Sequence, residues 1–209
     1  MVKYVLHYFQ GIGVRGEVVK LCFEFGKIPY DQVQIPFNDW PHHKPKYPTG
    51  SVPILEVDGV TLTDSTAIGR FVAKKVGIAG ENDVDAALID GYVAQLEDLT
   101  SAMARKKLLL MIVEGKEAEA VDGIRETMKL FLERIEKHLE NKKGCAAQIL
   151  VGKTTSWADL VLADFIHRME LTVKDLTEPY PSVKKWVDHV HKLPQLKEYF
   201  AKRQLPMNI

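Results

Sequence analysis

Cysteine is scarce: the 209-residue chain has two, Cys22 and Cys145, and no motif surrounds either. Two isolated thiols argue against a disulfide framework and fit a reducing compartment. Neither has a partner two residues away, so the Cys-x-x-Cys arrangement of a dithiol oxidoreductase is missing as well. Charge of one sign is not in excess, with 28 Lys+Arg against 28 Asp+Glu. Partners such as nucleic acid or an anionic membrane leave a basic surplus, which is absent. Long hydrophobic runs are lacking, because the longest, Leu108 to Val113, is far too short for a bilayer. Residues Met1 to Tyr8 hold neither the apolar stretch nor the cleavage site of a signal peptide. No repeat and no low-complexity tract occurs. What is there is the composition of a soluble globular protein, 46% hydrophobic and 27% charged, and a cytoplasmic location is expected.

The first 78 residues and the remainder have different periodicities. Val2 to His7 is strand-like. Val14, Val18, Leu21, Cys22 and Phe25 then recur at helical spacing, with Cys22 on the apolar face and Gly26 as the stop. Tyr30 to Ile35 is a second strand, followed by a proline-rich loop. Val52 to Val57 and Val60 to Thr63 flank Asp58-Gly59, a strong hairpin signal. Asp64-Ser65 caps a helix whose stripe is Ile68, Phe71, Val72 and Val76. The order βαβ then ββα defines a thioredoxin-like sheet. Residues 79–83 read as a linker, and residues 84–209 as all helix. Val84, Leu88, Tyr92, Leu96, Leu99 and Met103 space a long helix, and Val121 to Leu139 another. Ser156-Trp157-Ala158-Asp159 reads as a capping box, and Pro181 and Pro194 as the openings of two short helices.

Gly11-Ile12-Gly13-Val14-Arg15-Gly16 matches the G-x-G-x-x-G pattern of dinucleotide folds. That function also needs an acid ending the second strand and further parallel strands. Asp31 begins the second strand instead, the next two strands form a hairpin, and only helices follow. The glycines are therefore read as loop flexibility at a strand-to-helix turn. No metal set is evident. His189 and His191 are two apart, which points them to different helix faces as an exposed pair, and His42-His43 has no third ligand.

Several ordered segments resemble the cytosolic glutathione S-transferases, most of all the sigma-class and nematode-type enzymes. They are Tyr8-Phe9, Asp39-Trp40-Pro41, Gly50 to Gly59, Leu62 to Ile68, Gln95 to Leu99, and Ser156 to Leu160. The resemblance covers nearly the whole chain. It implies that Tyr8 holds the thiolate of glutathione. A free thiol has a pKa near 8.5, and a hydroxyl donating to sulfur favours the ionised form. Lowering that pKa by about two units needs roughly 2.7 kcal/mol, within reach of a charge-assisted hydrogen bond aided by a helix N-terminus. It further implies that Trp40 and Lys44 reach the glycyl carboxylate, and that Val52, before a cis bond to Pro53, meets the cysteinyl backbone. Gly50 and Ser51 fall in the same binding segment. Asp64 and Ser65 would hold the γ-glutamyl end, and Asp98 would reach across a homodimer interface toward its ammonium. Ser156 and Asp159 are assigned to folding. Phe9, Arg15, Met103 and Arg105 would line a pocket for small hydrophobic electrophiles, with a contribution from Leu205-Pro206-Met207.

Three departures accompany the resemblance. Ser51 stands where Lys or Gln is usual, Asp64 stands where Gln is usual, and Arg105 occupies the place of a Trp found in prostaglandin D synthases. A conjugating transferase is thus expected, with glutathione as co-substrate and no metal. The alternatives are a non-catalytic carrier of hydrophobic ligands and a glutathione-dependent isomerase or peroxidase. The zero net charge conceals a mild asymmetry, 9 basic against 7 acidic residues up to residue 78 and 19 against 21 beyond it. Its sign suits a small anionic tripeptide held by placed groups.

Overall fold

A computed structural model describes residues 2–142 and 148–203. Strand β1 (Tyr4–Phe9) alternates in burial, with Tyr4, Leu6 and Tyr8 inward, as its period-two pattern demands. Helix α1 (Val14–Phe25) buries Val18, Leu21 and Cys22 and ends at Gly26, as its spacing predicts. Strand β2 (Asp31–Ile35) pairs parallel to β1, opposite Val5 to Phe9. The proline-rich loop holds one helical turn, α2 (Trp40–His43), between two 3₁₀ turns. Strands β3 (Ile54–Val57) and β4 (Val60–Thr63) form the hairpin, with Asp58 and Gly59 both at positive φ as this two-residue turn requires. β3 lies antiparallel to β1, so the sheet order is β2-β1-β3-β4. Helix α3 (Ser65–Lys75) packs beside α1 on one face.

Beyond this thioredoxin-like unit every described element is helical. Asn82 caps α4 (Asp83–Arg105) by accepting the Val84 and Asp85 amides. The run from Leu108 forms a short helix, α5 (Leu108–Val113), followed by α6 (Glu117–Asn141), α7 (Trp157–Thr172), α8 (Pro181–His191) and α9 (Lys197–Lys202). α7 is the central helix, almost wholly buried against α1, α4 and α8. One hydrophobic core runs from Tyr4 to Leu196 through both halves. The halves are joined by the Trp157 backbone N–H donating to the Ile78 carbonyl at 3.0 Å, and by Arg70 Nε donating to both Asp90 oxygens at 2.8 Å.

Three expectations need correction. Val84 and Leu88, in the expected apolar stripe of α4, are 69% and 53% exposed; Leu96, Leu99 and Met103 are buried as expected, and Ile89 and Val93 join them in place of the first two. Pro194 does not open α9, which begins at Lys197 after a turn. His189 is exposed, but His191 is not, since it stacks on Phe200 at a centroid distance of 4.4 Å and meets the tilted ring of His167 at 4.1 Å. Alternation along a helix told the two histidines apart without saying that α9 covers one of them. Cys145 lies outside the described residues.

Candidate active site

Tyr8 is 6% exposed, with Ile35 and Val52 in a small buried cluster that Phe9, Ile12, Trp40 and Tyr47 flank. Its position follows from β1, whose inward register delivers it to the sheet edge facing the first turn of α1. A Cβ on Gly16 would stand 2.2 Å from the Tyr8 ring, so only glycine admits this packing. The Tyr8 hydroxyl oxygen accepts the Arg15 backbone N–H at 3.1 Å. Burial raises the phenol's pKa, against the lowering effect of the Arg15 and Gly16 amides and of the Arg168 and Arg15 charges. Tyr8 is therefore a neutral hydroxyl at physiological pH, and its proton remains free to donate to an anion.

Around it stand the chain segments that the sequence singles out. Trp40, on α2, meets Phe9 edge-on at 5.1 Å and Tyr47 at 5.6 Å. Lys44 is exposed and lies along Gly50, which has φ +59; a Cβ there would be 3.3 Å from Lys44 Cε. The Ser51 hydroxyl pairs with Thr49 at 2.8 Å, and the Val52–Pro53 bond is cis. Asp64 caps α3, accepting the Ala67 N–H at 2.9 Å, from a backbone at φ +71 that a non-glycine residue rarely adopts. Ser65 is buried at the first position of α3, where helix amides are free for an anion.

Glu97, on α4, is a residue that sequence reasoning missed. One carboxylate oxygen lies 2.9 Å from Arg15 Nη2, and the other accepts the Ser65 hydroxyl at 3.3 Å. It thereby ties the starts of α1 and α3 to the helical half. Its signal was present in the Gln95 to Leu99 segment, but a helix acid reads as solvated until partners 82 and 32 residues away are known.

The expected electrophile pocket is not assembled as read. Met103 is fully buried in the core, so none of its surface faces a pocket. Arg105 is exposed and lines a groove of about 370 Å³ between α4 and α6, together with Asp98, Gln95 and Leu130. Phe9 is occupied by Trp40 and Phe37, whose rings lie 5.1 and 5.2 Å from its own. Arg15 does sit beside Tyr8, though its side chain turns to Glu97. Leu205, Pro206 and Met207 lie outside the described residues. Ser156 and Asp159 form a capping box at α7, and the buried Asp159 also accepts the Leu150 N–H and the Trp186 indole. Among the described residues no group of three His, Cys, Asp or Glu side chains could hold a metal ion, and no helix is long and apolar enough to cross a membrane.

A thioredoxin-like sheet that presents a tyrosine to a helix N-terminus, followed by a helical half, defines a thiol-binding protein of the transferase type. Residues 16–75 match the glutathione S-transferase N-terminal domain and residues 104–203 the C-terminal domain. The chain is 32% identical over 208 residues to glutathione S-transferase 1 of Ascaris suum, covering 97% of this chain and 98% of that one. It is 34% identical over 206 residues to the hematopoietic prostaglandin D synthase of Gallus gallus, covering 97% and 98%. It superposes with a TM-score of 0.85 on a monomeric glutathione S-transferase of Necator americanus, at 27% identity and covering 96% and 97%. The chain belongs to the glutathione S-transferase family, whose co-substrate is glutathione.

Proposed function

We propose that this protein ionises the thiol of glutathione against Tyr8 and adds it to small hydrophobic electrophiles. The observation that carries this reading is the Tyr8 hydroxyl. Its oxygen is already engaged by the Arg15 N–H in the first turn of α1, while its proton is free to donate. A thiolate sulfur would accept that proton's hydrogen bond, and Ser65 with the α3 amides would receive the γ-glutamyl carboxylate. The unused Asp64 carboxylate oxygen suits the γ-glutamyl ammonium, and Lys44 beside Gly50 suits the glycyl carboxylate. Residues 1–78 would carry glutathione. Residues 84–209 would supply the electrophile pocket and, in a homodimer, Asp98 from a second copy. The location would be the cytoplasm, and no metal enters the scheme.

The test is conjugation to an aromatic chloride, with wild type and Tyr8→Phe compared. Loss of one hydrogen bond to a charged sulfur, about 1.5–3 kcal/mol, should lower kcat/KM by about 10- to 100-fold. Wild type without a rate above background would overturn the enzymatic reading and leave a ligand carrier. The avian relative brings a second activity into the same assay series, prostaglandin D synthesis, for which Arg105 rather than Trp predicts a weak rate.

A further inference from the structure

The glycines of the G-x-G-x-x-G turn make specific close approaches. Gly16 admits the ring of Tyr8. On Gly13, a Cβ would stand 3.1 Å from Nη1 of Arg168, which arrives from α7 in the helical half. The first turn of α1 is thus held between the proposed catalytic ring and a guanidinium. Arg168 is 2% exposed. Its Nε donates to Asp164 at 2.9 Å, while its Nη1 is buried with no hydrogen-bond partner among the described residues. An arginine N–H left unpaired in the interior is costly, and the position it faces is the turn whose amide binds Tyr8.

The counter-charges around Arg168 are divided between it and Arg203. Asp164 is shared, since its second oxygen accepts Arg203 Nη1 at 2.7 Å. Glu17 also lies near Gly13, with one oxygen 3.5 Å from the same Cβ position. Its other oxygen accepts the Tyr199 hydroxyl at 2.5 Å and Arg203 Nη1 at 2.8 Å. Two carboxylates therefore converge on Arg203, and Arg168 has half of one. His191, whose Nε2 is 3.8 Å from Asp164, and His167, whose ring is tilted against it, complete the neighbourhood.

We infer that Arg168 is a positioning residue for thiolate formation, a buried cation that acts through the Gly13–Gly16 turn to favour negative charge beside the Tyr8 hydroxyl, on the sulfur that would accept its proton. This rests on the glutathione reading above. The Arg168 charge also lowers the Tyr8 pKa against the larger effect of burial, which is the direction this role requires. It works in the same sense as the α1 N-terminal dipole, in a site too dry to screen it.

The experiment is an ultraviolet titration of the thiolate of bound glutathione in the intact protein. Arg168→Met removes the charge and keeps the volume; Asp164 loses the partner of one oxygen and keeps Arg203 on the other. The apparent thiol pKa should rise by about 0.5–1, a threefold to tenfold loss of thiolate below it, with little change in glutathione affinity. Arg168→Lys should restore it. Asp164→Asn leaves Arg168 without its counter-charge and should move the pKa the opposite way, which keeps the idea falsifiable if the methionine variant fails to fold. A lowered thiol pKa in wild type that neither Arg168→Met nor Asp164→Asn shifts would overturn the role of Arg168 alone. Unshifted glutathione in wild type would overturn the reading beneath it, and this inference with it.

Discussion

At Gly16 one methyl group decides whether Tyr8 can occupy its place, because the added carbon would overlap the ring. Gly16→Ala should therefore cost about 1–3 kcal/mol as overpacking and lower the conjugation rate together with stability. Urea unfolding and a steady-state assay on one preparation check both. Which side chains were legible follows from where they stand. Asp64 and Ser65 sit at an element end, where capping chemistry leaves a local signature, whereas Tyr8 stands out from other half-buried tyrosines only through the family resemblance. Glu97 and Arg168 do not sit at element ends. Each is a charged residue inside a helix, and its meaning comes from Arg15, Ser65 or Gly13, which the chain brings up from far away. The unusual backbone at Asp64, φ +71, was equally hidden, since nothing in Thr63-Asp64-Ser65 demands it.

Among the elements, α7 is the one whose start the sequence specifies most fully. Asp159 accepts the Ser156 amide and hydroxyl on one oxygen, and the Leu150 N–H and Trp186 indole on the other. Asp159→Ala would leave those buried donors unpaired and should destabilise the protein by about 3–5 kcal/mol, read from the midpoint of denaturant unfolding. Asp159→Asn, which keeps an acceptor, should cost less. α4 shows the limit of periodicity. Val84 and Leu88 continue a helical apolar series, but a 23-residue helix has more than one such series. Which of them is covered depends on where α5, α6 and α7 pack. The hairpin and α1 posed no such problem, because Asp58-Gly59 and Gly26 fix their ends locally.

The whole molecule carries a pH dependence through the α8–α9 contact. Burial pushes His191 down to about 4, against the opposing pull of Asp164, with His167 and Arg203 adding to the depression. Between pH 6.5 and about 4 the unfolded chain takes up a proton here that the folded chain refuses, so stability falls as pH drops through that window. Above it the term vanishes. The full interval corresponds to about 3 kcal/mol, and partial solvent contact reduces this to about 2. Asp164, held below its usual 3.8 chiefly by Arg168 and Arg203 against burial, loses its contribution only at lower pH. Unfolding midpoints from pH 7 to 4.5 should fall for wild type and less for His191→Phe, which keeps the stack on Phe200.

Arg203 meets Glu17 across 186 residues. A ribosome adding about 5–20 residues per second releases the two ends of that pair roughly ten to forty seconds apart. During this interval the first turn of α1 exists with a carboxylate destined for the interior and no arginine to receive it. The half that carries Tyr8 thus does not finish its own interior from its own residues. A nascent chain that stalls before Arg203 presents an unfinished charge cluster one turn from Tyr8, and a residue just beyond α9 completes the start of α1.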